Sequence, residues 1–269
     1  MTNRVPRTNK EWEYWGKTDP YYGVLTTRGK QKGTNSPWTA DEMREAGRAH
    51  FEIVSRMWSS YGIGSVHCIE IGCGSGRITA QLLNHFGKVT ALDVSSHQLD
   101  EARKLVGANA LPRATFEQVN APVLPVADGA CDGVFSCQVF QHFDSDSPAF
   151  EYFREAYRAL MPGGTLCLNL PIHGMSLNTT KFIGLRTRSY QVLRTLGWRR
   201  IMIFRTYNGM QALRVLGETG FEDLQIRTIQ IDKLGRFETY FLARKPASRA
   251  KDTSGQVMGP ASRDGLSAR

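Results

Sequence analysis

A glycine-rich stretch holds the residues of this sequence best suited to bind a ligand. The segment HCIEIGCGSGR (67–77) carries Gly72, Gly74 and Gly76 at alternate positions, directly after an apolar run. Glycine permits positive φ angles and close approach of the backbone to a ligand. Asp93 follows Gly76 by 17 positions, near the roughly 20-residue spacing at which an acid accepts ribose hydroxyls in dinucleotide sites. The pattern predicts a nucleoside-binding site.

The charge at this turn favours one kind of nucleoside. A nicotinamide dinucleotide motif reads G-x-G-x-x-G and places a pyrophosphate on a helix N-terminus. The spacing here is G-x-G-x-G, and Glu70 stands two positions before Gly72. A carboxylate there would repel a pyrophosphate but suits a ligand that carries ammonium and sulfonium charges. The sequence therefore favours S-adenosylmethionine over NAD.

Two histidines are candidates for acid–base chemistry, because each follows a predicted strand. His142 and His173 carry imidazoles that can accept a proton near neutral pH. A base is needed only where the attacking group holds a proton that must leave early; otherwise proximity and alignment suffice. Each ring could instead hydrogen-bond its own loop, so both interpretations stay open. His50, His67 and His85 fall on predicted scaffold elements and are expected to be structural.

Strands and helices must alternate along the chain to position these residues. Apolar runs predict strands at 66–71, 89–94, 114–119, 133–137, 165–170, 224–231 and 238–243. Helices are predicted from the cap Thr39 onward and at 77–86, 95–106, 147–160 and 211–217. The last two strands follow one another without a helix, as an antiparallel edge pair would. The prediction is an α/β fold, a Rossmann-like doubly wound and mostly parallel seven-stranded sheet with an antiparallel last strand and helices on both faces.

Four stretches resemble the class I S-adenosylmethionine-dependent methyltransferases, specifically the bacterial small-molecule type. They read CIEIGCGSGRIT, VTALDVSSHQLDEAR, VNAPVLPVADGACDGVFSCQVFQHF and REAYRALMPGGTLCL, and span about residues 68–168. The resemblance implies S-adenosyl-L-methionine as the cofactor and methyl transfer as the reaction. It also places the acceptor pocket just past the fourth strand, where His142 lies.

The resemblance assigns the cofactor contacts by position. The glycine turn would run along the methionine and ribose, Glu70 would hold the network around the methionine ammonium, and Asp93 would bind the ribose hydroxyls. Asn120 stands where the family usually has an Asp that accepts from the adenine amino group, and an amide oxygen can accept that bond. The implied cofactor residues are Glu70, Gly72, Cys73, Gly74, Gly76, Asp93, Val94, Asn120, Ala121 and Gln138.

The composition is that of a globular protein, with 269 residues, 41% hydrophobic and 22% charged. The sequence has neither an apolar run of the roughly 18 residues that a membrane span needs nor a signal-like N-terminus, so a cytoplasmic location is expected. Five cysteines without a C-x-x-C pair indicate no disulfide framework and no metal site. We expect an aromatic segment over 1–38 that suits a flap, a methyltransferase domain over 39–245 and a disordered tail over 246–269.

A basic insert at about 175–208 bears on the acceptor. It holds seven cations and no acid: Lys181, Arg186, Arg188, Arg194, Arg199, Arg200 and Arg205. Its apolar spacing is helical. A lid over an anionic acceptor, a membrane-surface helix and a plain solvated helix all remain open.

The expected partner is a small-molecule methyl acceptor, at oxygen before nitrogen or carbon. An RNA or lipid-linked acceptor, a nicotinamide-dependent oxidoreductase and a cofactor-sensing protein without catalysis are the alternatives. The motifs typical of many nucleic-acid base methyltransferases are not seen in the sequence, which disfavours RNA. The sequence leaves the acceptor, the methylated atom and the oligomeric state open.

Overall fold

A seven-stranded sheet forms the centre of the structure, a computed structural model that describes residues 7–175, 204–232 and 236–247. Its order is β3-β2-β1-β4-β5-β9-β8, and β9 runs antiparallel to both of its neighbours. The predicted mostly parallel sheet with an antiparallel last strand is therefore confirmed. The strands are β1 His67–Ile71, β2 Lys88–Asp93, β3 Ala114–Gln118, β4 Cys131–Ser136, β5 Leu160–Asn169, β6 Ile172–Gly174, β7 Tyr207–Asn208, β8 Glu222–Gln230 and β9 Phe237–Arg244.

Helices cover both faces of the sheet. They are α1 Arg7–Thr18, α2 Pro20–Val24, α3 Ala40–Tyr61, α4 Thr79–Leu82, α5 Ser96–Val106, α6 Ser147–Ala159 and α7 Gly209–Thr219. Phe51 and Trp58 of α3 pack with α4 and α5 in one buried cluster, and Phe153 of α6 packs with α7 in the other. In the part of the chain that the structure describes, no helix is long and apolar enough to cross a membrane.

The caps read from the sequence start two helices where expected. Thr39 and Glu42 form a reciprocal capping box at the start of α3, an arrangement that satisfies two backbone donors. The Ser95 side chain accepts from the backbone N–H of Gln98 at the start of α5. These two helices flank β1, the glycine turn and β2 along the chain.

The structure corrects four details of the predicted elements. The helix expected at 77–86 spans only Thr79–Leu82, because turn hydrogen bonds such as His85 N–H to the Leu82 carbonyl close its end. Strand β5 begins at Leu160, which pairs with Cys131 before a bulge. The segment before residue 39 contains α1 and α2, and Asp19 caps α2 ahead of Pro20. The short parallel pair β6–β7 was not predicted.

Candidate active site

A cavity of about 400 Å³ lies where β1, β2 and β4 end. The residues that border it are Glu70, Gly72, Cys73 and Gly74 at the end of β1 and after it, Asp93 and Val94 at the end of β2, and Gln138 after β4, whereas Gly76 does not line it. Ligands of open α/β sheets bind at the carboxyl ends of the strands. The structure thus brings most of the predicted cofactor residues to one place.

The glycine turn has a shape that side chains would prevent. Gly72 and Gly74 have φ angles of 72° and 53°, which L-residues adopt at a cost. A Cβ on Gly74 would lie 2.7 Å from a methyl of Val24, and one on Gly72 would lie 2.3 Å from a methyl of Val139. Asp93 fixes the turn, because one of its carboxylate oxygens accepts from the N–H of Gly74 at 2.8 Å. The turn therefore requires glycine at both positions, and both residues border the cavity.

Two buried carboxyl groups face this cavity, and burial perturbs both. Burial raises the pKa of Glu70 to about 7, although a 2.6 Å hydrogen bond from Thr79 lowers it. Burial likewise raises the pKa of Asp93 to about 6, against the effect of hydrogen bonds from the backbone of Ser95 and Gly74. A ligand that donates hydrogen bonds would favour the ionised forms of both groups. An ammonium and two ribose hydroxyls are such donors.

Arg77 is a cofactor candidate that sequence reasoning missed. Its side chain is 4% exposed and borders the same cavity. Its guanidinium donates to His50 Nδ1 at 3.0 Å and to Gln138 Oε1 at 3.3 Å, and no carboxylate of the described residues forms an ion pair with it. Buried charges are normally paired. A ligand carboxylate in the cavity would supply the missing anion, and the signal in the sequence was a cation directly after the last glycine.

The two candidate bases differ in position. His142 lies on the cavity wall in a short 3₁₀ helix, Phe140–His142, and its ring meets that of Trp12 edge-on with centroids 4.8 Å apart. His173 lies in β6, with Nδ1 3.2 Å from the Thr206 hydroxyl oxygen, and is not one of the residues that line the cavity. The structure thus places His142, and not His173, with the cofactor candidates. Whether either imidazole is a base stays a prediction.

The predicted adenine contacts Asn120 and Ala121 are not among the residues that line the main cavity. Asn120 and Ala121 are exposed. Asn120 borders a neighbouring hollow together with Val94, which also lines the main cavity. An adenine contact by Asn120 stays a prediction.

Comparison with known proteins agrees with this geometry. Residues 69–168 match the family described as a methyltransferase domain. The O-methyltransferase resE of Aspergillus sclerotiorum is 32% identical over 119 residues, 44% of this chain and 43% of that protein. The S-adenosyl-L-methionine-dependent Diels-Alderase iccD of Talaromyces variabilis is 30% identical over 118 residues, 41% of this chain and 38% of that protein.

Residues 69–168 of the chain form a methyltransferase domain of this family. The fold agrees: a SAM-dependent methyltransferase from Methanosarcina mazei superposes with a TM-score of 0.54 at 17% identity, over 71% of this chain and 97% of that one. S-adenosylmethionine is the cofactor of such domains. The match covers less than half the length of the two curated relatives.

The segment before the methyltransferase domain forms one wall of its cavity. Trp12, Val24 and Leu25 line this wall. Helix α1 is fastened to the start of α5, because the Glu13 carboxylate accepts from the N–H and hydroxyl of Ser96 and lies 2.6 Å from His97 Nδ1. The aromatic segment thus lies over the body of the domain. Its opening as a flap stays a prediction.

The exit of the basic insert reaches the cavity, while residues 176–203 lie outside the described residues. Phe204, at the exit of the insert, lines the cavity. Arg205 donates from its backbone N–H to the Gln141 carbonyl at 2.6 Å and from Nε to the Phe143 carbonyl at 3.1 Å, and it pairs with Asp146 at 2.9 Å. The exit of the insert is therefore bonded to the loop that carries His142.

Proposed function

We propose that this protein transfers the methyl group of S-adenosylmethionine to an oxygen of a small-molecule acceptor. One observation carries the proposal: a single cavity is bordered both by Glu70, Arg77 and Asp93 and by Trp12 and His142. The first group fits the charges of the cofactor. The second offers aromatic surface and a titratable ring to an acceptor.

The chain's own residues would hold the cofactor through complementary charge. Asp93 would accept from the ribose hydroxyls, Glu70 would lie nearest the methionine ammonium, and Arg77 would pair with the carboxylate. Val94 would lie against the adenine. Each of these groups is positioned by the end of a strand or by the turn that follows it, so little reorganisation is needed on binding.

Methyl transfer requires mainly that the reacting atoms are aligned. When bound, the cofactor supplies a methyl carbon that is already activated by its sulfonium sulfur. The cavity walls would hold the acceptor oxygen in line with that carbon and exclude water, and such positioning accounts for much of a displacement barrier. His142 would take the proton from the acceptor hydroxyl as the new C–O bond forms, and later release it to water.

The similarity to proteins named as O-methyltransferases supports oxygen as the target. We also propose that the acceptor is an anion. The seven cations of the insert region support it, because a field of one sign attracts the opposite charge. Arg236, on the cavity border, adds a cation there, although Asp232 lies 3.4 Å from it.

The test uses cofactor with a deuterated methyl group. Purified protein, labelled cofactor and fractionated metabolite extracts are incubated together, and mass spectrometry searches for products heavier by the labelled methyl group. Formation of S-adenosylhomocysteine is measured in the same samples. Coupled appearance of both products, absent from an Asp93→Ala variant, is the expected result.

The same experiment separates the alternatives. One relative is named a Diels-Alderase, so cofactor binding alone does not demonstrate methyl transfer. A protein that binds the cofactor and changes an extract compound without forming S-adenosylhomocysteine would contradict the proposal. Label that appears in RNA and not in small molecules would move the activity to nucleic acid.

A further inference from the structure

A closed ring of hydrogen bonds lies behind the methionine end of the cavity. It joins Arg77 to Glu238 of β9 through two bridges. On one side Arg77 donates to His50 Nδ1 at 3.0 Å, and His50 Nε2 lies 3.0 Å from Glu238 Oε2. On the other side Arg77 donates to Gln138 Oε1 at 3.3 Å, and Gln138 Nε2 donates to Glu238 Oε1 at 2.8 Å. Each carboxylate oxygen therefore holds one bridge.

The ring has a defined polarity. A guanidinium can only donate hydrogen bonds, so the contact with Arg77 assigns the acceptor role to Nδ1 of His50 and leaves its Nε2–H to donate to Glu238. Burial lowers the pKa of His50, whereas Cys137 and Glu238 raise it to about 9. Because a proton on Nδ1 would break the bond with Arg77 and place two cations together, we assign the neutral ring. Gln138 is oriented in the same way, with its oxygen toward Arg77 and its amide toward Glu238. Both bridges thus link the cation to the anion without direct contact. Arg77 keeps other N–H groups for the cavity that it borders.

Glu238 is well suited to be the fixed end of the ring. Its side chain is 8% exposed. Burial raises its pKa, but hydrogen bonds from His50, Tyr240 and Gln138 outweigh burial and lower the pKa below its ordinary value. The Tyr240 hydroxyl donates to Glu238 Oε2 at 2.8 Å. Glu238 is therefore a buried anion with partners on both oxygens.

Gln138, which forms one bridge of the ring, has an uncommon backbone conformation. Its φ angle is 59°, an uncommon value for a residue other than glycine. Its backbone N–H donates to Asn169 Oδ1 at 3.2 Å, and its side chain closes the ring. Residues held in such conformations cluster at functional sites, where surrounding contacts over-determine them.

We propose that His50 and Glu238 are positioning residues that hold Arg77 and Gln138 for the amino-acid part of S-adenosylmethionine. The inference rests on the proposed function. A ligand carboxylate beside Arg77 would complete an alternating series of charges: the ligand anion, the Arg77 cation and the Glu238 anion. Because neither His50 nor Glu238 lines the cavity, their effect on binding is transmitted through the ring.

The test compares a ligand that has the amino-acid part of the cofactor with one that lacks it. S-adenosylhomocysteine carries the amino-acid part, whereas 5′-methylthioadenosine keeps the adenosine and sulfur and lacks that part. Calorimetry gives the Kd of both for wild type, Glu238→Gln, His50→Leu and His50→Asn. The Asn amide oxygen can accept from Arg77 as Nδ1 does. Thermal melting verifies that each variant is folded.

His67→Leu is the matched control. His67 is also a buried imidazole with two hydrogen bonds, to the Ala130 carbonyl and the Thr90 hydroxyl, both at 2.9 Å. It starts β1, at the end of the strand away from the cavity. Its loss should lower the melting temperature as the loss of His50 does, without changing either Kd.

We expect Glu238→Gln and His50→Leu to weaken S-adenosylhomocysteine binding about tenfold or more, since a hydrogen bond to a charged group contributes roughly that much. Binding of 5′-methylthioadenosine should change less than about twofold. His50→Asn should recover most of the lost affinity. Equal losses for both ligands, or unchanged affinity in folded variants, would overturn the inference and leave the proposed function intact.

Two further results would also be decisive. A wild-type protein that does not bind S-adenosylhomocysteine would contradict the proposed function and, with it, this inference. Metal analysis of the purified protein tests another use of the same residues, because ligand atoms of His50, Cys137 and Glu238 lie within 4.8 Å of one another. A stoichiometric divalent ion would overturn the ring, because a metal on Nε2 prevents its donation to Glu238.

Discussion

Replacing Asp93 by alanine tests the placement of the ribose. In the structure one oxygen of this carboxylate accepts from the Gly74 N–H at 2.8 Å and the other from the Ser95 N–H at 2.9 Å. The ribose hydroxyls would bind the remaining lone pairs. The substitution therefore removes ligand contacts together with two bonds that shape the turn.

The magnitude follows from these bonds. Hydrogen bonds to a charged group contribute roughly 1.5–3 kcal/mol each, so two ribose contacts correspond to about 3–6 kcal/mol. Water that enters the emptied space restores part of this interaction energy. We therefore expect the binding free energy to weaken by at least about 1.4 kcal/mol, which corresponds to a tenfold rise in Kd. The two lost backbone bonds should lower the free energy of unfolding by about 1–3 kcal/mol.

Isothermal calorimetry with S-adenosylmethionine and S-adenosylhomocysteine measures the affinity, and thermal melting measures the stability. Asp132→Ala is the control, because Asp132 also accepts from loop N–H groups, those of Ser65, Val66 and His67, but at the opposite end of β1. It should lower stability and leave both Kd values unchanged. A folded Asp93→Ala protein with wild-type affinity would refute the placement of the ribose.

Three further predictions address the base, the buried acid and the turn. His142→Ala should lower turnover about 10²–10⁴-fold with little change in cofactor Kd, and turnover within about threefold of wild type at saturating acceptor would remove His142 as the base. Cofactor affinity should rise with pH up to about 7 and then level off, because burial raises the pKa of Glu70 to about 7 and only its ionised form accepts an ammonium; calorimetry across pH should show a flatter profile for Glu70→Gln. Without ligand, the stability of the protein should change with pH in the opposite direction to the affinity. Its free energy of unfolding should fall as pH rises from about 4.5 to 7, because burial disfavours the ionised form of Glu70. Gly74→Ala should lower the free energy of unfolding by about 1–2 kcal/mol through its positive φ, and adding Val24→Ala should restore part of the loss in thermal melts, because a Cβ there would lie 2.7 Å from Val24.

The cofactor half of the site could be predicted because its residues follow one another along the chain. Glu70, the glycine turn and Asp93 lie within one strand–turn–helix–strand unit, so local pattern and spacing suffice to place them. The sheet was predictable for the same reason, since each apolar run and each cap is a local signal. The start of β5 and the short pair β6–β7, in contrast, depended on pairing between segments that are distant in the sequence.

Contacts between distant segments could not be predicted. His50 and Glu238 are 188 residues apart in the sequence, and no periodicity or motif links them. The sequence interpretation therefore left His50 as a structural residue and Glu238 as part of an edge strand. Arg77 is different, because it directly follows the glycine turn and a buried cation there requires an anion. A charge argument applied to that position would have found it.

The proposed acceptor half of the site depends on contacts that join the loop of His142 to the exit of the insert. Arg205 binds the Gln141 and Phe143 carbonyls on either side of His142, and Phe204 beside it lines the cavity. A displacement of the insert exit therefore displaces the His142 loop as well. Because alignment of the acceptor oxygen and placement of the base then change together, substitutions at this exit should alter kcat as well as KM. Glu70, Arg77 and Asp93 belong to β1, to the turn after it and to β2, away from this connection, so the cofactor affinity that depends on them should be insensitive to these substitutions.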